Sequence, residues 1–231
     1  MALSIISLSV NGLRESSKRE GLLQWLRSLP VTVDVVILQE THCVSDVECH
    51  SWFSSSGLSF VLSPGSCRSG GCVVLYRPIL RLVNSWCDFA GRSLLCEFTL
   101  YDASFRVLCL YAPNRNPARD SFFNSISDAV DPSIPTVLCG DFNTVFDRAI
   151  DRLGSCADNT SRESIPALTR LFDSCCVIDI WRYLHPVSSS FTWNRWDGQF
   201  ASRINLVGCP DRKSTRLNSS HITRSRMPSS A

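Results

Sequence analysis

A chain of 231 residues, 44% hydrophobic and 19% charged, has apolar material for one sizeable core and too little charge for a disordered segment. No apolar run is long enough for a bilayer, and residues 3–10 alternate apolar positions with Ser, reading as a strand rather than a signal peptide. The net charge of +2 conceals an asymmetry: residues 211–231 hold five Lys/Arg against one Asp, leaving residues 1–210 formally at −2, so global charge offers no argument for nucleic acid.

The first strand ends at Ser9-Val10-Asn11-Gly12. Apolar positions Leu22, Leu23, Trp25, Leu26 and Leu29 predict an amphipathic helix over 18–29, stopped by Pro30. Residues 33–38 are nearly continuously apolar, a strand buried on both faces that delivers Gln39-Glu40-Thr41-His42 at its end. A carboxylate placed there suits a hard cation such as Mg²⁺, and equally suits capping the next helix. A helical patch over 45–53 precedes a run of strands at 58–63, 72–76, 79–87, 93–100 and 105–111. Successive strands favour antiparallel pairing, and the helix between the first two buried strands favours a layered α/β sandwich. Twelve cysteines without spaced CxxC pairs read as buried thiols of a reducing compartment rather than zinc ligands.

The strand at 105–111 releases Tyr111-Ala112-Pro113-Asn114, a phenol and a carboxamide together. Tyr111 suits a phosphate oxygen, or packing with its hydroxyl wet. A helix over 121–130 leads to the run Pro135-Thr136-Val137-Leu138-Cys139, which stops abruptly at Gly140-Asp141-Phe142-Asn143. Glycine permits a sharp exit from a sheet, so Asp141 can take a proton from water while Asn143 orients the reactants. Alone, this is more simply a strand followed by an Asp/Asn turn; it gains weight from the matching pieces around it. A polar loop over 147–162 and a helix over 165–176 follow, and His185, before Pro186, reads as a packed or capping residue.

Eight pieces, in order, carry a resemblance: Asn11-Gly12, Gln39-Glu40-Thr41, Gly71-Cys72-Val73-Val74, Tyr111-Ala112-Pro113-Asn114, Gly140-Asp141-Phe142-Asn143, Asp179-Ile180-Trp181-Arg182 with His185-Pro186, Phe191-Thr192-Trp193 and Ser202-Arg203-Ile204. Together they resemble the exonuclease–endonuclease–phosphatase superfamily, and within it the endonuclease domain of non-LTR retrotransposons. The resemblance implies an α/β fold, a two-sheet α/β sandwich with the site where strand ends converge. It implies Mg²⁺- or Mn²⁺-dependent nicking of DNA that primes reverse transcription, with a reverse transcriptase fused in the same polyprotein. No small-molecule cofactor or membrane is implied, and the setting would be nuclear or cytoplasmic. By the same resemblance Glu40 and Asn11 would serve the metal, Asp141, Asn143, Tyr111 and Asn205 the catalysis, and Asn114, Thr192 and Arg203 the DNA or its phosphates.

Three departures qualify it. The first motif begins with Ser9, where the family has Asn. Asn205 stands where the family's Ser-Arg-Ile-Asp presents a carboxylate that orients a histidine; in serine proteases an Asp→Asn change at the analogous position costs about 10⁴ in rate. The family's closing Ser-Asp-His is absent, leaving His221, in no strand pattern, as the one candidate beyond Asn205. Residues 211–221 and 225–231 resemble the translation of a sequencing-library adaptor, so the expected domain is residues 1–210, short of its last strands, with a non-native tail at 211–231 and an inactive site. The alternatives are a phosphomonoesterase or sphingomyelinase-type member of the superfamily, and a decayed, non-catalytic DNA-binding remnant.

Overall fold

Alternation along the strands decides the layering. In the computed structural model, which describes residues 3–88, 90–154, 164–211 and the backbone of 219–221, the first half runs β1 (Leu3–Ser9), α1 (Ser16–Ser28), β2 (Val35–Gln39), α2 (Asp46–Phe53), β3 (Ser59–Ser63), β4 (Cys72–Tyr76), β5 (Arg81–Cys87), β6 (Ser93–Leu100) and β7 (Ala103–Tyr111). Then come α3 (Asn116–Ala129), β8 (Thr136–Asp141), β9 (Arg152–Leu153), α4 (Ser164–Ser174), β10 (Val177–Asp179), α5 (Ile180–Leu184), β11 (Trp193–Asn194), β12 (Ala201–Ser202), β13 (Asn205–Pro210) and β14 (Ser219–His221). One sheet has the order β14-β1-β2-β4-β3, a second β10-β13-β8-β7-β6-β5, and a small ribbon β11-β12-β9.

Val35 and Ile37 of β2 point into the layer between the large sheets, where they meet Leu94, Phe98, Val107, Cys109 and Cys139. Their neighbours Val36 and Leu38 point the other way, onto Leu22 and Leu23 of α1 and Trp52 and Phe53 of α2. On the second sheet Leu108, Leu110 and Leu138 likewise face outward, under Phe123 of α3 and Leu168, Leu171 and Phe172 of α4. Period-two side-chain direction, with both faces apolar, thus yields helix, sheet, sheet, helix. This is the expected two-sheet α/β sandwich. No described helix is long and apolar enough to cross a membrane.

Two expectations shift. The helix expected over 121–130 begins at Asn116, because Pro117 occupies the first turn, where its missing N–H is harmless. The loop expected over 147–162 contributes β9 to the ribbon, and residues 155–163 lie outside the described ones.

Residues 219–221, set aside from the sequence alone, pair parallel with β1, Leu3 opposite Ser219 and Ile5 opposite His221. The unpaired main-chain groups at β1's outer edge accept any short extended segment, whatever its side-chain pattern.

The parallel pairing of β7 and β8 positions the site. It sets Leu110 beside Gly140 and Tyr111 beside Asp141. A Cβ at Gly140 would lie 1.9 Å from the Leu110 carbonyl oxygen, so only glycine allows the two strands to close there. Gly140→Ala is expected to force the strands apart and lower stability by about 2–4 kcal/mol, read in a thermal melt as a fall in Tm of roughly 5–15 °C.

Candidate active site

Polar side chains collect where the strands of both sheets end. Beyond β1 and β2 the chain stays zipped: Val10 N donates to Gln39 O (2.9 Å), Gly12 N to Glu40 O (2.6 Å) and Leu13 N to Thr41 O (2.9 Å). Asn11, Glu40 and His42 all hold left-handed backbone there, with φ of 47°, 56° and 59°. Gly12 is required in this turn: its φ is 82°, and a Cβ would sit 2.7 Å from the His42 Nδ1. Asn143, in the turn after β8, has φ of 49°. Non-glycine residues held at such φ cluster at sites where the surroundings over-determine the backbone.

Across the sheets, the Tyr111 hydroxyl donates to Glu40 Oε1 at 2.5 Å. Arg92 secures the tyrosine from behind, its guanidinium 4.9 Å from the ring centre and its Nη1 donating to Tyr111 O at 3.3 Å. Asp141 lies beside Tyr111 on β7 and opposite Asn205 on β13. Asn143 is tied to both neighbouring turns, its N–H donating to Asp141 Oδ1 (3.0 Å) and its Nδ2 to Ala112 O (2.8 Å). Glu40, Tyr111, Asp141, Asn143 and Asn205 are therefore brought to one edge of the sandwich, with Asn11 on the adjoining turn.

The electrostatics suit proton transfer. Burial pushes the Asp141 carboxyl up to about 7; the Asn143 N–H opposes this and the Glu40 charge adds to it. Burial, then the bond to Glu40, raises the Tyr111 phenol above its ordinary value, so it stays a donor at neutral pH. Burial lowers the Lys18 amine despite Glu15 and Glu40; it donates to Asn11 O at 2.9 Å. An acid poised near neutrality in a hydrogen-bonded cluster can accept a proton from a water.

The donors at this edge are oxygens: the Glu40 carboxylate, which accepts no hydrogen bond but that of Tyr111 among the described residues, and the exposed Asn11 carboxamide. No group of three or more His, Cys, Asp or Glu side chains able to hold a metal occurs among the described residues. One carboxylate and a carboxamide cannot cage a soft metal, but they match the partial oxygen shell of Mg²⁺, which keeps waters and takes substrate oxygens.

Arg203 and Thr192, both expected at the DNA, make internal contacts. Arg203 is only 2% exposed; its Nε and Nη2 reach Asp151 at 2.7 and 3.0 Å, and Nη2 reaches Asp179 at 2.6 Å. It lies at the join of β12 and β13, where two carboxylates lock it inward. The hydroxyl of half-buried Thr192 accepts from Ile204 N and Asn205 N, each at 2.9 Å, and so clamps the start of β13.

The backbone of His221 pairs with Ile5, four residues before the end of β1 at Ser9. His185 caps α5 and packs on Trp181 at 4.9 Å between ring centres. Asn114 is exposed, and its carbonyl accepts from Arg119 Nη1 at 2.9 Å.

Asp151 and Arg119 escape sequence reasoning, and Arg182 enters it only as part of the Asp179–Arg182 piece. Asp151 is fully buried, bonded to both Arg203 and Arg182. Burial alone would raise its carboxyl, but the two guanidiniums hold it below the usual range. Its partners lie 52 and 31 residues away, so no local pattern advertises them.

A family model described as the endonuclease/exonuclease/phosphatase family matches residues 6–212. The "Transposon TX1 uncharacterized 149 kDa protein" of Xenopus laevis is 29% identical over 96% of this chain, which spans only 17% of that relative's length. An AP endonuclease from Archaeoglobus fulgidus superposes with a TM-score of 0.71 at 17% identity, covering 89% of this chain and 86% of its own. A 3′ phosphatase, NExo from Neisseria, bound to a product DNA hairpin, gives 0.70 at 18% identity, covering 91% and 87%. At these identities the likeness to the solved structures is one of fold.

Two outcomes are expected. In metal-free protein the Asp141 carboxyl, followed by carbon NMR, titrates near pH 7, and added Mg²⁺ moves the midpoint lower because a nearby cation favours the ionised form. Asp151→Asn leaves the buried Arg203 and the half-buried Arg182 short of their carboxylate and lowers unfolding free energy by about 3–5 kcal/mol in a denaturant titration.

Proposed function

The chain belongs to the endonuclease/exonuclease/phosphatase family, and we propose that it is a divalent-metal-dependent DNA endonuclease domain of a transposon protein. The observation that carries this reading is the Tyr111–Glu40 bond beside a buried Asp141 held by Asn143, a proton acceptor and an oxygen-donor site at one edge. Support for DNA as the substrate comes from the transposon relative and from the DNA hairpin in the structure of the Neisseria phosphatase.

In this reading Asp141 takes a proton from the attacking water, and Asn143 holds that water or the phosphate through its carboxamide. Glu40 and Asn11 would hold Mg²⁺ or Mn²⁺, which when bound supplies polarisation of the phosphate oxygens. Tyr111 keeps Glu40 in a single orientation. Asn114, exposed next to this group, faces the strand's phosphates. The rest of the polyprotein would supply a reverse transcriptase, and the setting would be the nucleus or cytoplasm, where DNA is reached.

Asn205 favours a second reading, a remnant that binds DNA without turnover. It lies opposite Asp141 in the register where the resemblance expects a carboxylate, and among the described residues no histidine is hydrogen-bonded to it. An amide there cannot stabilise an imidazolium.

A supercoiled-plasmid nicking assay decides between the readings. The expected result is Mg²⁺-dependent relaxation, abolished by a chelator and lowered at least about 10²-fold by Glu40→Gln or Asp141→Asn. Near-full activity in either variant would refute the assignment of the site. DNA binding without nicking would establish the remnant, and hydrolysis of a phosphomonoester in preference to DNA would identify a phosphatase. With Mg²⁺ present the nicking rate is expected to rise roughly tenfold per pH unit up to the metal-lowered midpoint of Asp141, below the metal-free value of about 7, and then level, because the ionised form of Asp141 is the base.

A further inference from the structure

Arg119 lies 3% exposed in the first turn of α3, and no ion pair among the described residues includes it. A guanidinium withdrawn from water with no ion-pair partner, only the charge of the neighbouring Asp120, is held when hydrogen bonds replace the lost solvent. Here the replacements are main-chain carbonyls of the two turns that carry the site. Nη1 donates to Pro113 O (3.4 Å) and Asn114 O (2.9 Å) after β7, and to Asn143 O (2.9 Å) after β8. Nε donates to the Ser164 hydroxyl at 2.9 Å, and Nη2 to Asn116 Oδ1. One rigid, planar group therefore gathers the turn after β7, the turn after β8 and the start of α4.

Two of the gathered carbonyl oxygens belong to Asn114 and Asn143, the residues whose carboxamides matter. Asn143 is kept at its left-handed φ of 49° by three bonds: its N–H to Asp141, its Nδ2 to Ala112 O, and its carbonyl to Arg119. The first two fix Asn143 against β7 and β8, and the third ties it to Asn114. A lysine keeps the charge but lacks the fork needed to bridge separate segments.

We infer that Arg119 is a positioning residue that sets the separation of the Asn114 and Asn143 carboxamides, and so shapes the subsite for a DNA phosphate. Its consequence for catalysis rests on the nuclease reading above; the clamp itself does not.

The test uses the 231-residue chain and its Arg119→Lys and Arg119→Gly variants. Amide hydrogen exchange is followed by mass spectrometry in peptides covering 111–115 and 141–145, with α1 peptides as reference, beside the nicking kcat and KM. Arg119→Lys is expected to speed exchange in those two peptides alone and to lower kcat by about 10- to 100-fold with KM within about twofold. Guanidinium chloride at millimolar concentration is expected to restore part of the kcat lost in Arg119→Gly.

Unchanged kcat in Arg119→Lys, or exchange that rises equally in α1, would overturn the inference. Should Arg119→Gly not fold, the lysine variant decides alone. Should the unsubstituted chain nick no DNA, the nuclease reading fails by itself, and exchange still decides the clamp: local acceleration upholds it, and no change removes it.

Discussion

Tyr111 on the second sheet and Glu40 at the end of a strand of the first are joined by one short hydrogen bond, and the geometry of the whole edge depends on that contact. Two sheets packed face to face through apolar side chains can slide by small amounts at little cost, since dispersion and burial are not directional. A hydrogen bond is directional. By anchoring a phenol of β7 to a carboxylate beyond β2, it fixes where Asp141, the register neighbour of Tyr111, stands relative to Glu40. Gly140 is the matching requirement one residue earlier, since any side chain there would separate β7 from β8.

Around this edge the chain invests in buried charge. Arg203, Arg182, Asp151 and Asp179 form a formally neutral group, with both guanidiniums about 5 Å from the Trp181 ring centre. Such groups add little net stability, because desolvation offsets their attraction, but they disfavour every arrangement in which a charge loses its partner. Their effect is to pin the β9 loop, α5 and the β12–β13 join together, and the last of these presents Asn205 to Asp141. Arg119 achieves the same between two turns with carbonyls in place of carboxylates.

The site's left-handed residues fit this picture. Asn11, Glu40, His42 and Asn143 each carry a small backbone cost, and each has main-chain or side-chain hydrogen bonds that offset it. Strain of this kind is tolerated where strand ends must turn sharply and still present a side chain inward.

Much of this was legible in the sequence. Nearly continuous apolar runs at 33–38 and 135–139, each ending in a polar group, identified β2 and β8 and placed Glu40 and Asp141 at strand ends, because side-chain direction and burial leave a local imprint. Resemblance then grouped Tyr111, Asn143 and Asn205 with them. What the tertiary structure alone decided is partnership. That Arg203 turns inward, that Thr192 clamps the start of β13, that Asp151 and Arg119 hold the loops, and that the backbone of His221 pairs with Ile5 all follow from contacts or register between distant segments. A charged or hydroxyl side chain has the same local pattern whether it meets water, DNA or a buried counter-charge, so its role is set by what folding brings against it.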